Sequence, residues 1–346
     1  MGDGKPIVVA TCIMNLAHEK ETTMTSPNRM NWLRVVSTFF LGLLIAVHGT
    51  PAQQPQTIAG PNTSSNPGRP VTVPLTITVK ESGPEPELQN IDLVISEDGE
   101  PQSILSIRGT GTNSPMTIAV LIQEDVVSSV ANEIKSLAEF VRGLPKGSRV
   151  MVGYLRTGSL QVKQKFTTDL DKSAKALRPP VGLSSVAPYN PYVEVIEALK
   201  RFDSQPLGRR AILLVSDGLD TSRGVDSSGP TQSIDLQRAV TESQRRGVAI
   251  YGFYAPTVAS QANILLASNA QSSLLRLATE TGGHAYFQGT GAPVSFDPFL
   301  RELDSSLDRQ AALTYLSTHL NKGFHRIAIS SATPGVRVAY PTGYVR

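Results

Sequence analysis

A continuous apolar run that ends in a polar loop is the feature that most constrains this chain. Residues 211–215, AILLV, lead directly into residues 216–222, SDGLDTS. A short apolar run bounded by turn residues is typical of a strand buried on both faces, as in a parallel sheet covered by helices. The loop would then lie at the carboxyl edge of the sheet, where open α/β folds bind ligands. Its carboxylates and hydroxyls predict a hard-cation site or a polar binding rim, or else an ordinary solvated acidic loop.

The size and charge of the chain bound its class. It has 346 residues, 40% of them hydrophobic and 18% charged, which is enough chain for one large domain or two modest ones. The formal net charge is only +3, and no run of Lys and Arg accompanies it. We therefore expect no nucleic-acid partner.

The N-terminal region carries the pattern of an export signal. Residues 30–52 combine Arg34 with an apolar stretch and with small residues before Gln53, which predicts a secretory signal peptide. We therefore expect an exported protein, periplasmic or extracellular. Residues 1–29 would be a misassigned extension or, if the signal is not cleaved, a cytoplasmic tail before a membrane anchor. The single cysteine, Cys12, lies in this extension, so the exported part would have no disulfide and no thiolate site.

Two segments precede the main body of the chain. Residues 53–70 are rich in Gln, Pro, Asn and Ser and predict a linker. Residues 71–110 predict a small β unit of about three strands, with a hairpin turn at Asp98 and Gly99. Pro74 favours an edge position for the first of these strands, because proline cannot donate a backbone hydrogen bond.

Residues 115–310 alternate between strand and helix patterns. This alternation predicts an α/β domain with a doubly wound, mostly parallel sheet, in which residues 159–166 form an antiparallel edge strand. Residues 311–346 add further strands, which we expect to pack with the N-terminal β unit because each piece alone is too small to be stable. The predicted strands are residues 117–122, 149–155, 159–166, 211–215, 248–254 and 284–287, and the predicted helices are residues 130–142, 169–177, 191–202, 233–246, 272–281 and 296–307.

Eight segments, in their order along the chain, carry a resemblance to a known family. They are DLVISEDGEPQSILSI, TIAVLIQEDVVSSVANEIKSL, AILLVSDGLD, RRGVAIYGFYAP, LATETGGHAYFQG, VSFDPFL, LTYLS and GFHRIAI. With these segments the chain resembles the von Willebrand factor type A (vWFA) superfamily, and more closely the vWFA-related proteins abundant in acidobacteria. The resemblance covers roughly residues 92–345 and implies a vWFA-like, Rossmann-like α/β fold.

The resemblance also implies a metal-ion-dependent adhesion site at the carboxyl edge. In the family, a DxSxS loop, a threonine from a second loop and an aspartate after the fourth strand hold Mg²⁺, whose preferred ligands are oxygens. Asp217 matches the last aspartate. Asp125 and Ser129 match the first loop in one register, which leaves Val127 in place of the middle hydroxyl. The other register places Gln123 where the first acid belongs, so we expect a degenerate site with Mg²⁺ as its possible cofactor.

The implied function is binding of a protein partner. In the second loop Tyr189 stands where the threonine is expected, and other oxygens could replace it. We therefore expect an exported protein-binding or adhesion module whose unidentified partner docks on the carboxyl edge. Besides the three metal-site residues, the expected edge consists of Glu124, Ser128, Ser185, Asn190 and Asp220.

Catalytic motifs are absent from the sequence. There is no GxSxG nucleophile elbow, and His284, His319 and His325 show no metal-ligand spacing. We therefore expect no catalytic residues and no enzyme activity. Two alternatives stay open: a metal-assisted hydrolase that uses the same acidic edge, and a structural envelope component with no discrete ligand.

Overall fold

The computed structural model describes residues 68–79, 91–109 and 113–346. All of these residues belong to one compact unit, residues 63–346. The expected extension at residues 1–29, the expected signal peptide at residues 30–52 and most of the expected linker at residues 53–70 lie outside the described residues. The last two residues of that linker, Arg69 and Pro70, begin the first strand.

The described part of the chain contains two sheets and the helices that cover one of them. The strands are β1 (Arg69–Val79), β2 (Leu93–Glu97), β3 (Glu100–Arg108), β4 (Thr117–Gln123), β5 (Arg149–Arg156), β6 (Ser159–Thr167), β7 (Arg210–Ser216), β8 (Ala249–Tyr254), β9 (Ala285–Tyr286), β10 (Gln310–Ser317), β11 (Phe324–Ser331), β12 (Val336–Ala339) and β13 (Gly343–Val345). The helices are α1 (Ile134–Gly143), α2 (Leu170–Lys175), α3 (Pro191–Lys200), α4 (Ile234–Arg246), α5 (Val258–Ala262), α6 (Ile264–Thr281) and α7 (Asp297–Asp308).

The six-stranded sheet has the doubly wound topology expected from the sequence. Its order is β6-β5-β4-β7-β8-β9, with every pair parallel except the antiparallel edge strand β6. Counted along the chain this is the 3-2-1-4-5-6 order of open α/β folds, and it has a topological switch point between its first and fourth strands. Those strands are β4 and β7, so the fold marks their carboxyl ends as the place to look for a site.

Helices cover both faces of this sheet because its central strands are apolar on both sides. In β4, Ile118, Val120 and Ile122 pack with α1 and α7, whereas Ala119 and Leu121 pack with α3, α4 and α6. All seven residues of β7 are likewise buried. The continuous apolar run of residues 211–215 therefore lies in the centre of a three-layer α/β/α sandwich, where the sequence placed it.

The flanking β unit is larger than the sequence predicted. Where a small unit of about three N-terminal strands and further strands from residues 311–346 was expected, these segments form a large seven-stranded antiparallel sheet of order β12-β1-β10-β3-β2-β11-β13. Strand β10 inserts between β1 and β3, and β11 pairs with β2, so N-terminal and C-terminal strands alternate in one sheet. Its apolar face forms a third core that includes Leu75, Ile95 and Tyr315.

Pro74 does not place β1 at the outer edge of this sheet. The strand pairs with β10 along Arg69 to Thr76, and β12 pairs only with its last part, from Thr76 to Val79. Proline therefore sits where β1 has a neighbour on one side only, which satisfies the same constraint without an edge strand.

Two helical turns were missed by the sequence analysis. Helix α5 and the first half of α6 lie before residue 272, where the helix was predicted to begin. Their starts are fixed by side-chain caps, since Thr257 and Ser260 form a capping box and Asn263 accepts the backbone N–H groups of Leu265 and Leu266.

None of the helices formed by the described residues has the length and apolar character that crossing a bilayer requires.

Candidate functional site at the carboxyl edge of the parallel sheet

Three neighbouring strands deliver polar residues to one edge of the sheet. Strand β4 ends at Gln123, β7 ends at Ser216, and the loop after β8 carries Thr257. Backbone contacts tie these loops together, because Val127 donates to the carbonyl of Pro256 at 2.9 Å. The parallel topology therefore brings residues that are far apart in sequence into one cluster.

Gln123 is the hub of this cluster. Its side-chain oxygen accepts hydrogen bonds from the Ser216 hydroxyl and, at 3.3 Å, from the backbone N–H of Asp217. Its side-chain nitrogen donates to Oδ1 of Asp125 at 2.9 Å. Of the two registers that the sequence allowed, this geometry matches the one that sets Gln123 directly beside Asp217 in place of an acid.

Asp217 is almost completely enclosed, with 3% of the residue exposed. One carboxylate oxygen accepts the backbone N–H of Leu219 at 3.0 Å, and the other accepts the hydroxyl of Thr257 at 2.9 Å. Burial raises the pKa of Asp217 to about 6, and the nearby charge of Asp125 adds to this, against the opposing effect of the Leu219 hydrogen bond. Both oxygens of this carboxylate thus have a donor within the protein.

Asp125 lies beside Asp217 and is half-buried. Burial raises the pKa of Asp125, and its hydrogen bond from Gln123 opposes that effect. Burial thus disfavours the charged form of both carboxylates, and the neutral amide of Gln123 is hydrogen-bonded between them.

Glu124 was expected on the partner-binding edge, but the structure buries it completely. Its carboxylate pairs with both terminal nitrogens of Arg178, one of them at 3.2 Å, and accepts the backbone N–H of Val181 at 2.9 Å. The guanidinium of Arg178 also lies over the Tyr154 ring, 4.1 Å from its centroid. Glu124 therefore anchors the loop between α2 and α3 and presents no surface to a partner.

Asn190 and Asp220 have local structural partners. Asn190 caps α3 by accepting the backbone N–H of Tyr192 at 3.1 Å, and its side-chain nitrogen donates to Asp235 at 2.8 Å. The buried carboxylate of Asp220 accepts hydrogen bonds from Ser222 and from the hydroxyl of Ser233, the residue that caps α4. Both side chains lie at the edge, as expected, but they shape its loops.

The three expected serines behave differently from the carboxylates. Ser128, Ser129 and Ser185 are all exposed. No hydrogen bond joins Ser129 to Asp125 or Asp217 within residues 113–346. The structure therefore places Asp125 near Asp217 but does not join Ser129 to them.

This donor set does not fit the Mg²⁺ that the family resemblance implies. Mg²⁺ requires a near-octahedral array of free oxygen ligands. Here both oxygens of Asp217 are already hydrogen-bonded, the Gln123 amide directs its N–H at Asp125, and Val127 supplies no oxygen. Where the family has an acid and a hydroxyl, this cluster thus has an amide and an apolar side chain, which leaves fewer oxygen ligands than Mg²⁺ needs.

Exposed apolar side chains surround the polar cluster. Val181, Leu183 and Tyr189 lie on the loop between α2 and α3, which backbone hydrogen bonds tie to Glu124 and Thr221. Val258, Ile264 and Leu265 lie on the segment that follows β8, and Ile264 is 77% exposed. We call these six residues the apolar rim. Exposed apolar side chains gathered at one end of a fold are typical of a protein-binding surface.

Sequence reasoning missed the role of Thr257, which closes the hydrogen-bond network of Asp217. Its signal was present, since a threonine followed three residues later by Ser260 after an apolar strand indicates a helix cap next to the carboxyl edge. The apolar rim was missed because exposure cannot be read from isolated Val, Leu and Ile residues.

Comparisons with known proteins add three structural likenesses. No protein-family model and no curated protein matches this sequence. Among solved structures, an aerotolerance-related membrane protein from Bacteroides fragilis NCTC 9343 matches with 12% identity over 56% of this chain and 98% of that chain, with a TM-score of 0.38. The conserved hypothetical protein BatB from Bacteroides thetaiotaomicron matches with 12% identity over 56% and 97%, with a TM-score of 0.39.

The third structure is the SpRpn10 VWA domain, with 14% identity over 56% of this chain and 93% of that chain and a TM-score of 0.35. The assignment of the α/β fold rests on the strand order and connections of this chain itself. Closeness to the acidobacterial vWFA-related proteins stays a prediction.

Proposed function

We propose that this chain is a vWFA-like protein-recognition module that binds its partner through the carboxyl edge of the parallel sheet without a metal ion. The observation that carries the proposal is the combination at this edge of an apolar rim with carboxylates that internal donors already satisfy. A partner would bury apolar side chains of its own against the rim. The family's metal-bridged contact to an acidic residue is not part of this proposal.

The apolar rim supplies the driving force for such binding. Removing apolar surface from water contributes about 25 cal/mol per Å², and exposed aromatic and aliphatic anchors at the centre of an interface carry most of its affinity. Tyr189, which is 63% exposed, combines a large apolar ring with a polar hydroxyl. We assign Tyr189 and Ile264 as the two anchors.

The polar cluster beneath the rim has a supporting role in this proposal. Gln123, Asp217 and Thr257 hold the ends of β4, β7 and β8 in a fixed relation through side-chain hydrogen bonds. A rigid edge binds with a smaller entropic cost than a flexible one. The proposal assigns binding and no turnover to this edge, and it places the protein in an exported compartment on the strength of the signal pattern at residues 30–52.

A photo-crosslinking residue at position 264 of the full chain, expressed in the source cell, tests the proposal. We expect it to capture a defined protein that the same probe at Leu207 does not capture. Leu207 is an equally exposed residue just before β7, at the amino edge of the sheet. The captured protein is then purified and its Kd for the full chain is measured.

The Kd values of two aspartate variants then show whether the apolar rim or another surface contacts the partner. Ile264→Asp is expected to weaken binding at least tenfold, whereas Leu207→Asp and an excess of chelator leave the Kd unchanged. Equal effects of the two aspartate variants, or loss of binding in chelator, would overturn a metal-independent contact through the rim.

A further inference from the structure

A second cluster of polar side chains lies on the antiparallel sheet, away from the edge described above. It collects Glu97 and Asp98 from the β2–β3 hairpin, His319 from the segment after β10, and His325 from the start of β11. The hairpin turn has positive φ angles at both central residues, 50° at Asp98 and 90° at Gly99. This turn type fixes the direction of the Asp98 side chain.

The cluster has the dimensions of a metal site. One carboxylate oxygen each of Glu97 and Asp98 and one ring nitrogen of His319 lie within 4.8 Å of one another. The His325 Nδ1 atom lies 2.8 Å from Oδ2 of Asp98 and 3.4 Å from Oε1 of Glu97. Two carboxylates and two imidazoles thus converge from three separate segments of the chain.

Glu97 is a buried charge with an unused oxygen. The residue is 0% exposed, and its Oε1 accepts hydrogen bonds from the Ser317 hydroxyl at 3.0 Å and the Tyr344 hydroxyl at 3.1 Å. Its Oε2 is also buried, yet no described residue donates to it. An unsatisfied buried carboxylate oxygen is costly and requires an explanation, such as an ion that binds there.

Both histidines direct their Nδ1 atoms toward the carboxylate of Glu97. The His325 Nε2 atom lies 2.9 Å from the carbonyl oxygen of Asn321, which only accepts hydrogen bonds. The His325 Nδ1 atom is hydrogen-bonded to Oδ2 of Asp98 at 2.8 Å, so a bound metal ion would replace the proton of that hydrogen bond. The His319 Nδ1 atom lies 3.5 Å from Glu97 Oε1 and is buried without a hydrogen-bond partner among the described residues. A metal ion that bridges the buried His319 nitrogen and the buried Glu97 carboxylate would supply a partner to both.

The separations agree with tetrahedral coordination by nitrogen and oxygen. Zn²⁺ binds imidazole nitrogen and carboxylate oxygen at about 2.0–2.2 Å, so neighbouring ligand atoms of a tetrahedron lie about 3.4 Å apart. The distances from Glu97 Oε1 to the two imidazole nitrogens are 3.4 and 3.5 Å, whereas the hydrogen-bonded His325 Nδ1 and Asp98 Oδ2 atoms, 2.8 Å apart, would separate by about 0.6 Å when both bind one ion. Two imidazoles favour a first-row transition metal over Mg²⁺ or Ca²⁺, which prefer oxygen ligands alone.

Other groups of the protein contact the candidate ligands and orient them. His325 donates to a backbone carbonyl, the exposed carboxylate of Glu100 lies 3.5 Å from the far nitrogen of His319, and two hydroxyls hold Glu97. Such contacts orient ligands and raise their basicity in metal sites. Asp98 and His319 are partly exposed, so an ion can enter from solvent.

We propose that Glu97, Asp98, His319 and His325 form a binding site for a divalent transition metal of the Zn²⁺ class.

Metal titration of the full chain tests this site. The protein is stripped with a chelator, dialysed, and titrated with Zn²⁺ and with Co²⁺, whose visible d–d absorption reports tetrahedral geometry. We expect one equivalent to bind at this cluster and the absorption band to appear. His319→Ala and Glu97→Gln are expected to weaken this binding at least tenfold, and His284→Ala, which removes an exposed histidine of the other sheet, leaves it unchanged.

His319→Ala and Glu97→Gln are chosen so that a loss of metal binding can be distinguished from unfolding. Glu97→Gln preserves the shape of a buried side chain, and His319→Ala changes a partly exposed one, so circular dichroism establishes that both remain folded. An unchanged Zn²⁺ affinity in folded His319→Ala, or the absence of a tetrahedral Co²⁺ band in the unaltered chain, would overturn the assignment. The assignment does not depend on protein binding at the carboxyl edge.

Discussion

The two acidic clusters of this protein differ in how their oxygens are used. At the carboxyl edge, both oxygens of Asp217 accept hydrogen bonds from the protein, and Glu124 is paired with Arg178. On the antiparallel sheet, Glu97 is just as buried but keeps one oxygen without a described donor, and two histidine nitrogens face the same point.

This difference separates structural carboxylates from ligating ones. Burial alone does not distinguish them, because Glu97, Glu124 and Asp217 are all inaccessible. A carboxylate with donors from its own fold on both oxygens, such as Asp217, stabilises that fold. A buried carboxylate that keeps an oxygen without a donor, such as Glu97, carries a desolvation cost that a bound cation would offset.

The largest expected effect comes from breaking the internal pairing at the carboxyl edge. Arg178→Ala leaves the fully buried charge of Glu124 without its cation and is expected to lower the free energy of unfolding by about 3–5 kcal/mol. Urea denaturation measures this change. Arg142→Ala, which removes an exposed pair with Asp171, is the control and should cost less than about 1 kcal/mol. Similar losses in both variants would contradict a structural role for Glu124.

Zn²⁺ should stabilise the protein through the cluster on the antiparallel sheet. A ligand that binds only the folded state at 100 times its Kd adds about 2.7 kcal/mol to the free energy of unfolding. We expect urea denaturation to show this gain in the unaltered chain and in His284→Ala but not in His319→Ala. The same gain in all three proteins would show that Zn²⁺ binds at another place in the chain.

Glu194 is a second buried carboxylate with an unused oxygen, and it lies outside the histidine-containing cluster. This buried residue of α3 has an Oε2 atom with no described donor, and burial, assisted by the charge of Glu197, raises its pKa to about 7 from 4.5. Because the pKa of the folded state lies above that of the unfolded state, folding stability is full below pH 4.5, falls as the pH rises to about 7, and is constant above that.

Glu194→Gln should remove this fall. The variant is expected to gain about 1–3 kcal/mol over the unaltered chain at pH 8 and nothing at pH 4. Thermal or urea unfolding across this range measures the difference. Parallel pH profiles for the two proteins would contradict a proton on Glu194.

The smallest expected effect is that of Mg²⁺ at the carboxyl edge. Because the oxygens of Asp217 are occupied, millimolar Mg²⁺ should change the free energy of unfolding by less than about 0.5 kcal/mol, equally in the unaltered chain and in Asp217→Asn. Calorimetric titration supplies a second measurement. Micromolar binding that Asp217→Asn abolishes would restore metal-dependent adhesion and contradict the comparison above.

The α/β half of the fold could be predicted because its signals are local. The apolar run before Ser216 identified the central strand, alternation after Gly158 identified the antiparallel edge strand β6, and Asp98–Gly99 identified a hairpin. The size of the antiparallel sheet could not be predicted, since pairs such as Arg69 with Ser317 join opposite ends of the described chain and leave no local pattern.

The difference between local sequence signals and nonlocal pairing also explains how much of each site could be predicted. The position of Asp217 at a strand end follows from the sequence, but its saturation depends on Thr257, forty residues away. Glu97 lies 220 residues from its hydrogen-bond partner Ser317, and His319 follows two residues later, so spacing rules could not join them. Only the pairing of the strands brings these groups together.

The interleaved antiparallel sheet also sets the order in which this protein can mature. Strands β1 and β3 flank β10, so they stay without this shared neighbour until residues 310–317 have been synthesised. Such nonlocal pairing slows folding and leaves strand edges open to aggregation. Because Glu97 and His325 meet only when β11 pairs with β2, metal binding at these residues would report that this long-range pairing has formed.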